Sequence, residues 1–176
     1  MKKDSIALIG FMATGKTTIG KAIVKKLGDD YKFIETDEII VKETGKSIPR
    51  IFEKEGEQKF REYEVLACKK ASKLKKTVIS CGGGVVLNKI NIDNLKKNCI
   101  LVLLTATPEE IFNRIMMNGK ETRPVINKQD PKLEIERVLN FRNPFYEASA
   151  DIIIDTTNKK IKDIVKEIII KTLAKT

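Results

Sequence analysis

The stretch GFMATGKTT, residues 10–18, constrains the fold of this chain more than any other feature. It has the form G-x-x-x-x-G-K-[ST], a loop whose backbone N–H groups converge on the phosphates of a nucleotide. Such a loop needs a strand to deliver it and a helix whose N-terminus faces the anion. Both neighbours are written in the sequence. Ser5, Ile6, Ala7, Leu8 and Ile9 form a short apolar run that reads as a buried parallel strand. Ile19, Ala22, Ile23 and Leu27 recur at helical spacing, one buried face of a helix that begins near Lys16 and stops at Gly28. Gly10 and Gly15 permit the backbone angles and close approaches of the turn. In this reading Lys16 reaches the β- and γ-phosphates as a point charge, and the Thr17 hydroxyl ligates Mg²⁺.

The loop leaves the destination of the phosphate open, so the rest of the chain has to supply it. Apolar runs recur at 5–9, 31–35, 77–81, 99–104 and 150–154. Between them lie helical periodicities such as Phe60, Tyr63, Ala67, Ala71 and Leu74, or Ile161, Ile164, Val165 and Ile168. Strands alternating with helices predict an α/β fold: a five-stranded parallel sheet covered on both faces. With 176 residues, no internal repeat and no linker composition, the chain reads as one domain.

Ligands in such folds sit at the carboxyl ends of the strands. The first run is followed by the phosphate loop, and the second by Glu35, Thr36 and Asp37. If the strand continues, Glu35 and Asp37 point the same way, one toward the water shell of Mg²⁺ and one toward a hydroxyl proton. The competing reading is that these acidic residues cap the next helix. After the third run come Gly82, Gly83 and Gly84, a triplet that suggests a ligand approaching the backbone closely. Thr105-Ala106-Thr107-Pro108 reads as a capped helix start, and Asp155-Thr156-Thr157-Asn158 follows the fifth run. Residues 119–131, GKETRPVINKQDP, read as a mobile loop whose Arg123 closes over a transferring phosphate. In FRNPFY, Arg142 precedes a proline expected to end a helix, and its planar fork suits a carboxylate.

Composition removes several chemistries. The chain has no histidine, so any general base comes from Asp, Glu, Lys, Tyr or Cys. Its 34 basic and 24 acidic residues give a net charge of +10. The lysines are spread over many segments without aromatic interleaving, which points to solvated faces and anionic metabolites, with no nucleic acid as partner. Asn127-Lys128-Gln129-Asp130 imitates a guanine-reading motif, but the D-x-x-G element of GTP switches is absent. Cys68, Cys81 and Cys99 form no C-x-x-C pair and read as free thiols of a cytoplasmic protein. No apolar run approaches the roughly 20 residues of a membrane span, and the start MKKDSIALIG is too short in its apolar part for a signal peptide.

In order along the chain, GFMATGKTTIG, ETDEII, TGKSIPRIFEKEGEQKFRE, ISCGGGVV, Arg123-Pro124 and FRNPFYEASAD resemble the shikimate kinase family, a small branch of the P-loop nucleoside-monophosphate-kinase-like proteins. The resemblance covers essentially the whole chain. It implies a single kinase domain over 1–176, with a substrate-binding segment at about 35–63 and a lid at about 117–130. It implies a monomer that transfers the γ-phosphate of ATP, with Mg²⁺, to the 3-hydroxyl of shikimate. Carried onto this sequence, it assigns Gly10, Ala13, Thr14, Gly15, Lys16, Thr17, Thr18, Arg123 and Asn158 to ATP. Thr17 serves the metal, with Glu35 reaching it through water. Asp37 meets the ring hydroxyls as candidate base, Arg61 and Arg142 clamp the carboxylate, and Gly82, Gly83 and Gly84 offer backbone contacts. Arg114 and the segment 155–159 are expected near adenine. Two departures stand out: E-x-D replaces the usual D-x-D at Glu35, and Ala13-Thr14 replaces a glycine-plus-small pair, a change expected to matter little to backbone binding. The residues alone do not choose shikimate over gluconate or a nucleoside monophosphate.

Overall fold

The computed structural model describes residues 3–117 and 130–175. Among them, β1 (Ser5–Ile9), β2 (Lys32–Glu35), β3 (Thr77–Ser80), β4 (Cys99–Thr105) and β5 (Ile152–Asp155) form one parallel sheet in the order β2-β3-β1-β4-β5. The helices are α1 (Lys16–Leu27), α2 (Thr36–Thr44), α3 (Ile48–Ala71), α4 (Lys89–Lys96), α5 (Pro108–Met117), α6 (Pro131–Ser149) and α7 (Ile161–Leu173).

All five residues of β1 are buried, because the strand lies at the centre of the sheet with a core layer on each side. The period of two along each strand divides its side chains between the layers. Ala7 and Ile9 join Leu101 and Leu103 in one layer, closed by Cys68 and Ala71 of α3, Ile92 and Leu95 of α4, and Tyr146 of α6. Ile6 and Leu8 join Ile100, Val102 and Leu104 in the other, closed by Ile19 and Ile23 of α1 and Ile164 and Ile168 of α7. Full burial of each aliphatic side chain contributes about 1.5–3 kcal/mol, so these two layers dominate the stability. Leu8 pairs with both Ser80 and Val102, which brings the carboxyl ends of β3, β1 and β4 to one rim. The loops that follow them meet there.

The outer strands depart from the expected two-sided burial. On β5, Ile152 and Ile154 are buried while Ile153 and Asp155 are exposed, and on β2 Lys32 is exposed. The fifth strand also begins later than the apolar run suggests. The N–H of Ala150 donates to Tyr146 O and closes α6, and the Asp151 carboxylate accepts from Leu101 N, so the β5 ladder starts at Ile152.

Two helix boundaries correct the sequence reading. Pro144 does not end its helix; α6 runs through it to Ser149. Tyr146 and Ser149 beyond it are buried, and that packing offsets the ~3 kcal/mol cost of an interior proline. Asp37 is not on a strand: β2 ends at Glu35, and Asp37 lies in the first turn of α2. The expected helix start after β4 is found, with Thr107 Oγ1 accepting from Glu110 N at 3.2 Å. Asp130, the last residue of the guanine-motif imitation, caps α6 by accepting from Leu133 N. Of the lid expected at about 117–130, residues 118–129, Arg123 among them, lie outside the described residues. No described helix is long and apolar enough to cross a membrane.

Candidate active site

A cleft of about 530 Å³ opens at the carboxyl rim of the sheet. It is lined by the phosphate loop from Met12 to Thr18, by Glu35 and Asp37, and by Ser80 through Gly83, with Arg114, Thr156 and Lys159 on the far side. Groups that the sequence places after the first, second, third and fifth strands therefore share one cavity, while the turn after the fourth lies outside it.

The loop's shape follows from its residue types. Gly10 takes φ +136°, and a Cβ there would stand 2.3 Å from the Leu104 backbone oxygen, so no other residue fits. Thr14 is buried and donates to Phe11 O at 2.8 Å, which ties the turn to itself. Ala13 sits at φ 60°, a left-handed conformation that costs an alanine about 1–2 kcal/mol. An alanine here carries a backbone strain that a glycine would not. Lys16 Nζ donates to Gly10 O and Phe11 O, each at 2.8 Å, holding the ammonium over the loop mouth.

The carboxylates reach the cleft by different routes. Glu35, at the end of β2, accepts from Thr17 Oγ1 at 2.5 Å. A threonine hydroxyl beside a carboxylate is an all-oxygen pair, the donor set that Mg²⁺ takes alongside phosphate and water. Asp37 is aimed by the start of α2, because Thr36 Oγ1 accepts from Gly82 N at 3.0 Å and fixes that turn against β3. The acids flank a helix start without a side-chain capping bond, and both face one cavity. Asp37 is exposed to solvent where it faces the cleft. Desolvation by the surrounding protein raises its carboxyl above the ordinary 3.8, with Lys16 pulling it down and Glu35 pushing it up.

The glycine triplet is shaped by what packs on it. A Cβ on Gly82 would meet Asp37 Oδ1 at 3.1 Å and Glu64 Oε1 at 3.2 Å. A Cβ on Gly84 would meet the Arg61 guanidinium, with Nη1 at 2.5 Å and Nη2 at 2.8 Å. Arg142 Nη1 donates to Gly83 O at 3.1 Å, while its Nε is buried without a partner among the described residues. Two arginines therefore sit over one short glycine run, next to the cleft that starts at the phosphate loop.

Sequence reasoning missed the groups that hold these arginines. Arg61 Nη1 donates to Glu64 Oε2 and Nη2 to Glu57 Oε1, both at 3.0 Å. Glu64 is fully buried, accepts also from Asn91 Nδ2 at 3.4 Å, and leaves Oε1 without a partner among the described residues. Burial raises its carboxyl above 4.5, with Arg61 opposing. The available signal was the spacing of three residues from Arg61 along a helix. On the opposite side, Arg114 donates to Ala13 O, Thr156 Oγ1, Thr156 O and Glu110 Oε1 at 2.9–3.2 Å, tying the phosphate loop to the turn after β5. Asn158 occupies that turn with φ 54° and is exposed, but Thr156 and Lys159 are the ones that line the cleft.

A parallel sheet in this order, with a phosphate loop after its central strand, defines a P-loop protein of the nucleoside-monophosphate-kinase type. The model of the family described as shikimate kinase matches residues 12–173. A shikimate kinase of Caldanaerobacter subterraneus subsp. tengcongensis is 45% identical over 165 residues, covering 94% of each chain. One of Caldicellulosiruptor bescii is 45% identical over 152 residues, covering 86% of each. Among solved structures, a shikimate kinase from Acinetobacter baumannii in complex with shikimate superposes with a TM-score of 0.90 at 31% identity, covering 99% of this chain and 95% of the other. The chain belongs to the shikimate kinase family.

Proposed function

We propose that this chain transfers the γ-phosphate of ATP to the 3-hydroxyl of shikimate. The observation that carries this reading is the pair Arg61 and Arg142 packed over Gly83 and Gly84, beside a cleft that begins at the phosphate loop. A phosphate loop alone suits many acceptors. Two arginines converging beside it suit an acceptor that is itself a carboxylate, because a guanidinium fork matches that group with paired hydrogen bonds.

Each remaining group then has a task. Residues 10–18 cradle the triphosphate through backbone N–H groups, and Lys16 moves from the loop carbonyls to the phosphate oxygens. Thr17, with Glu35 through water, would hold a magnesium ion, which would supply positive charge to offset that of the phosphates. Asp37 orients the acceptor hydroxyl and accepts its proton. Arg123, on sequence grounds, closes over the transferring group. Phosphoryl transfer passes through a loose transition state, so positioning and charge stabilisation carry most of the catalysis. Three buried, unpaired cysteines suit a reducing cytoplasm, and one chain supplies every group named here, which suits action as a monomer.

Two substitutions test the acceptor side. Arg142→Lys keeps the charge and loses the fork, so shikimate binding should weaken by about 1.5–3 kcal/mol while ATP affinity stays within twofold. Calorimetric titration with each ligand measures both; equal losses for the two would assign Arg142 to the nucleotide or to structure. Gly84→Ala inserts a methyl where the Arg61 guanidinium now lies. That guanidinium is the far end of a flexible side chain, so it should shift within its bonds to Glu57 and Glu64 and leave the fold intact. The thermal midpoint should shift by no more than about 4 °C, the equivalent of about 1 kcal/mol, while KM for shikimate rises about tenfold or more. An unchanged KM would remove Arg61 from the acceptor site.

A further inference from the structure

The Gly83 carbonyl accepts two hydrogen bonds, one from Arg142 Nη1 at 3.1 Å and one from the Tyr146 hydroxyl. The two donors lie one turn apart on α6 and so share a face. Their situations differ. Tyr146 is 1% exposed and locked among Ile9, Val85 and Leu103 in the core layer. Burial pushes its hydroxyl up to about 12, so it remains a donor throughout the working range of pH. Arg142 is only half-buried: its Nη1 is on Gly83, its guanidinium also faces the Tyr146 hydroxyl, and its Nε has no partner among the described residues.

An arginine that must turn its fork to an incoming anion cannot also be the sole support of the loop beside it. If Arg142 were the only donor, binding a carboxylate would strand the half-buried Gly83 oxygen, and that loss would be subtracted from affinity. We propose that Tyr146 is a positioning residue for the acceptor: it holds the Gly83 carbonyl and the glycine turn in place, leaving Arg142 free to bind the acceptor's carboxylate. This rests on the reading of Arg142 as a carboxylate clamp. Tyr146 itself touches no reacting atom.

Tyr146→Phe tests it, since the phenyl ring keeps the packing and removes only the hydroxyl. Calorimetry on wild type and variant should use three ligands: shikimate, the neutral carboxamide of shikimate, and ADP. The expected result is about a tenfold loss for shikimate, with carboxamide and ADP each within twofold of wild type. The preference for carboxylate over carboxamide should therefore shrink about tenfold. Steady-state kinetics should show the loss in KM for shikimate and little in kcat. An unchanged preference, an equal loss for all three ligands, or a variant without a cooperative melt would each overturn the proposal by making Tyr146 neutral or purely structural. Wild-type protein that binds ADP but not shikimate would instead remove the clamp reading, and the proposal with it.

Discussion

Lys16→Ala should lower kcat by about 10²–10³-fold, the scale of removing one preorganised donor from a developing anion, with the fold intact. The structure explains both halves of this expectation. Lys16 Nζ is held by the carbonyls of Gly10 and Phe11, so the ammonium waits at the loop mouth. Its removal takes away the point charge that follows the phosphoryl group as it leaves. The fold does not depend on it, because the buried face of α1 is Ile19, Gly20 and Ile23. A coupled assay of ADP release and a thermal melt measure the two effects; half of normal activity retained would take Lys16 out of the site.

Asp37→Asn should reduce the single-turnover rate at saturating shikimate by about 10²–10⁴-fold, the usual scale of general base catalysis. The chain has no histidine, and Asp37 is the cleft carboxylate not engaged by Thr17. Because the transition state is loose, the hydroxyl needs limited activation, and the low end of that range is expected. The wild-type pH profile gives an independent check. A base works only when ionised, and desolvation by the surrounding protein raises the Asp37 carboxyl above 3.8. The rate should therefore fall as pH drops through that raised value, about tenfold per unit below it, with the acid limb above the ordinary carboxylate position. Asp37→Asn should flatten the limb. A single-turnover rate within threefold of wild type would leave Asp37 as a positioning residue.

The parts legible in the sequence are those where one physical requirement acts alone. A parallel strand buried on both faces must be apolar throughout, so β1 and β4 are plain in SIALI and CILVLL. The phosphate loop is legible because glycine spacing and Lys-Thr chemistry are fixed by the anion. Boundaries set by competition are not. Nothing local announces that α6 continues past Pro144, because the reason is the burial of Tyr146 against distant strands. Asp37 could be assigned to the cleft but not to a helix turn, since the Thr36–Gly82 bond that fixes it spans 46 positions. Glu64 was hidden by its company: α3 also carries Glu53, Glu55, Glu57 and Glu62, and the sequence does not show which one is buried. Gly82 and Gly84 were noticed for a ligand's sake, yet their immediate neighbours are Asp37, Glu64 and Arg61.

The central claim is the identity of the acceptor. The measurement that tests it most directly is ADP release from ATP and Mg²⁺ with shikimate, gluconate or a nucleoside monophosphate as acceptor, followed by ³¹P–¹H correlation on the product. Shikimate should drive ADP release and yield one phosphomonoester coupled to the proton at carbon 3, while the other acceptors stay at the rate seen with none. Release driven by gluconate or a nucleoside monophosphate but not by shikimate, or a phosphate on another hydroxyl, would contradict it.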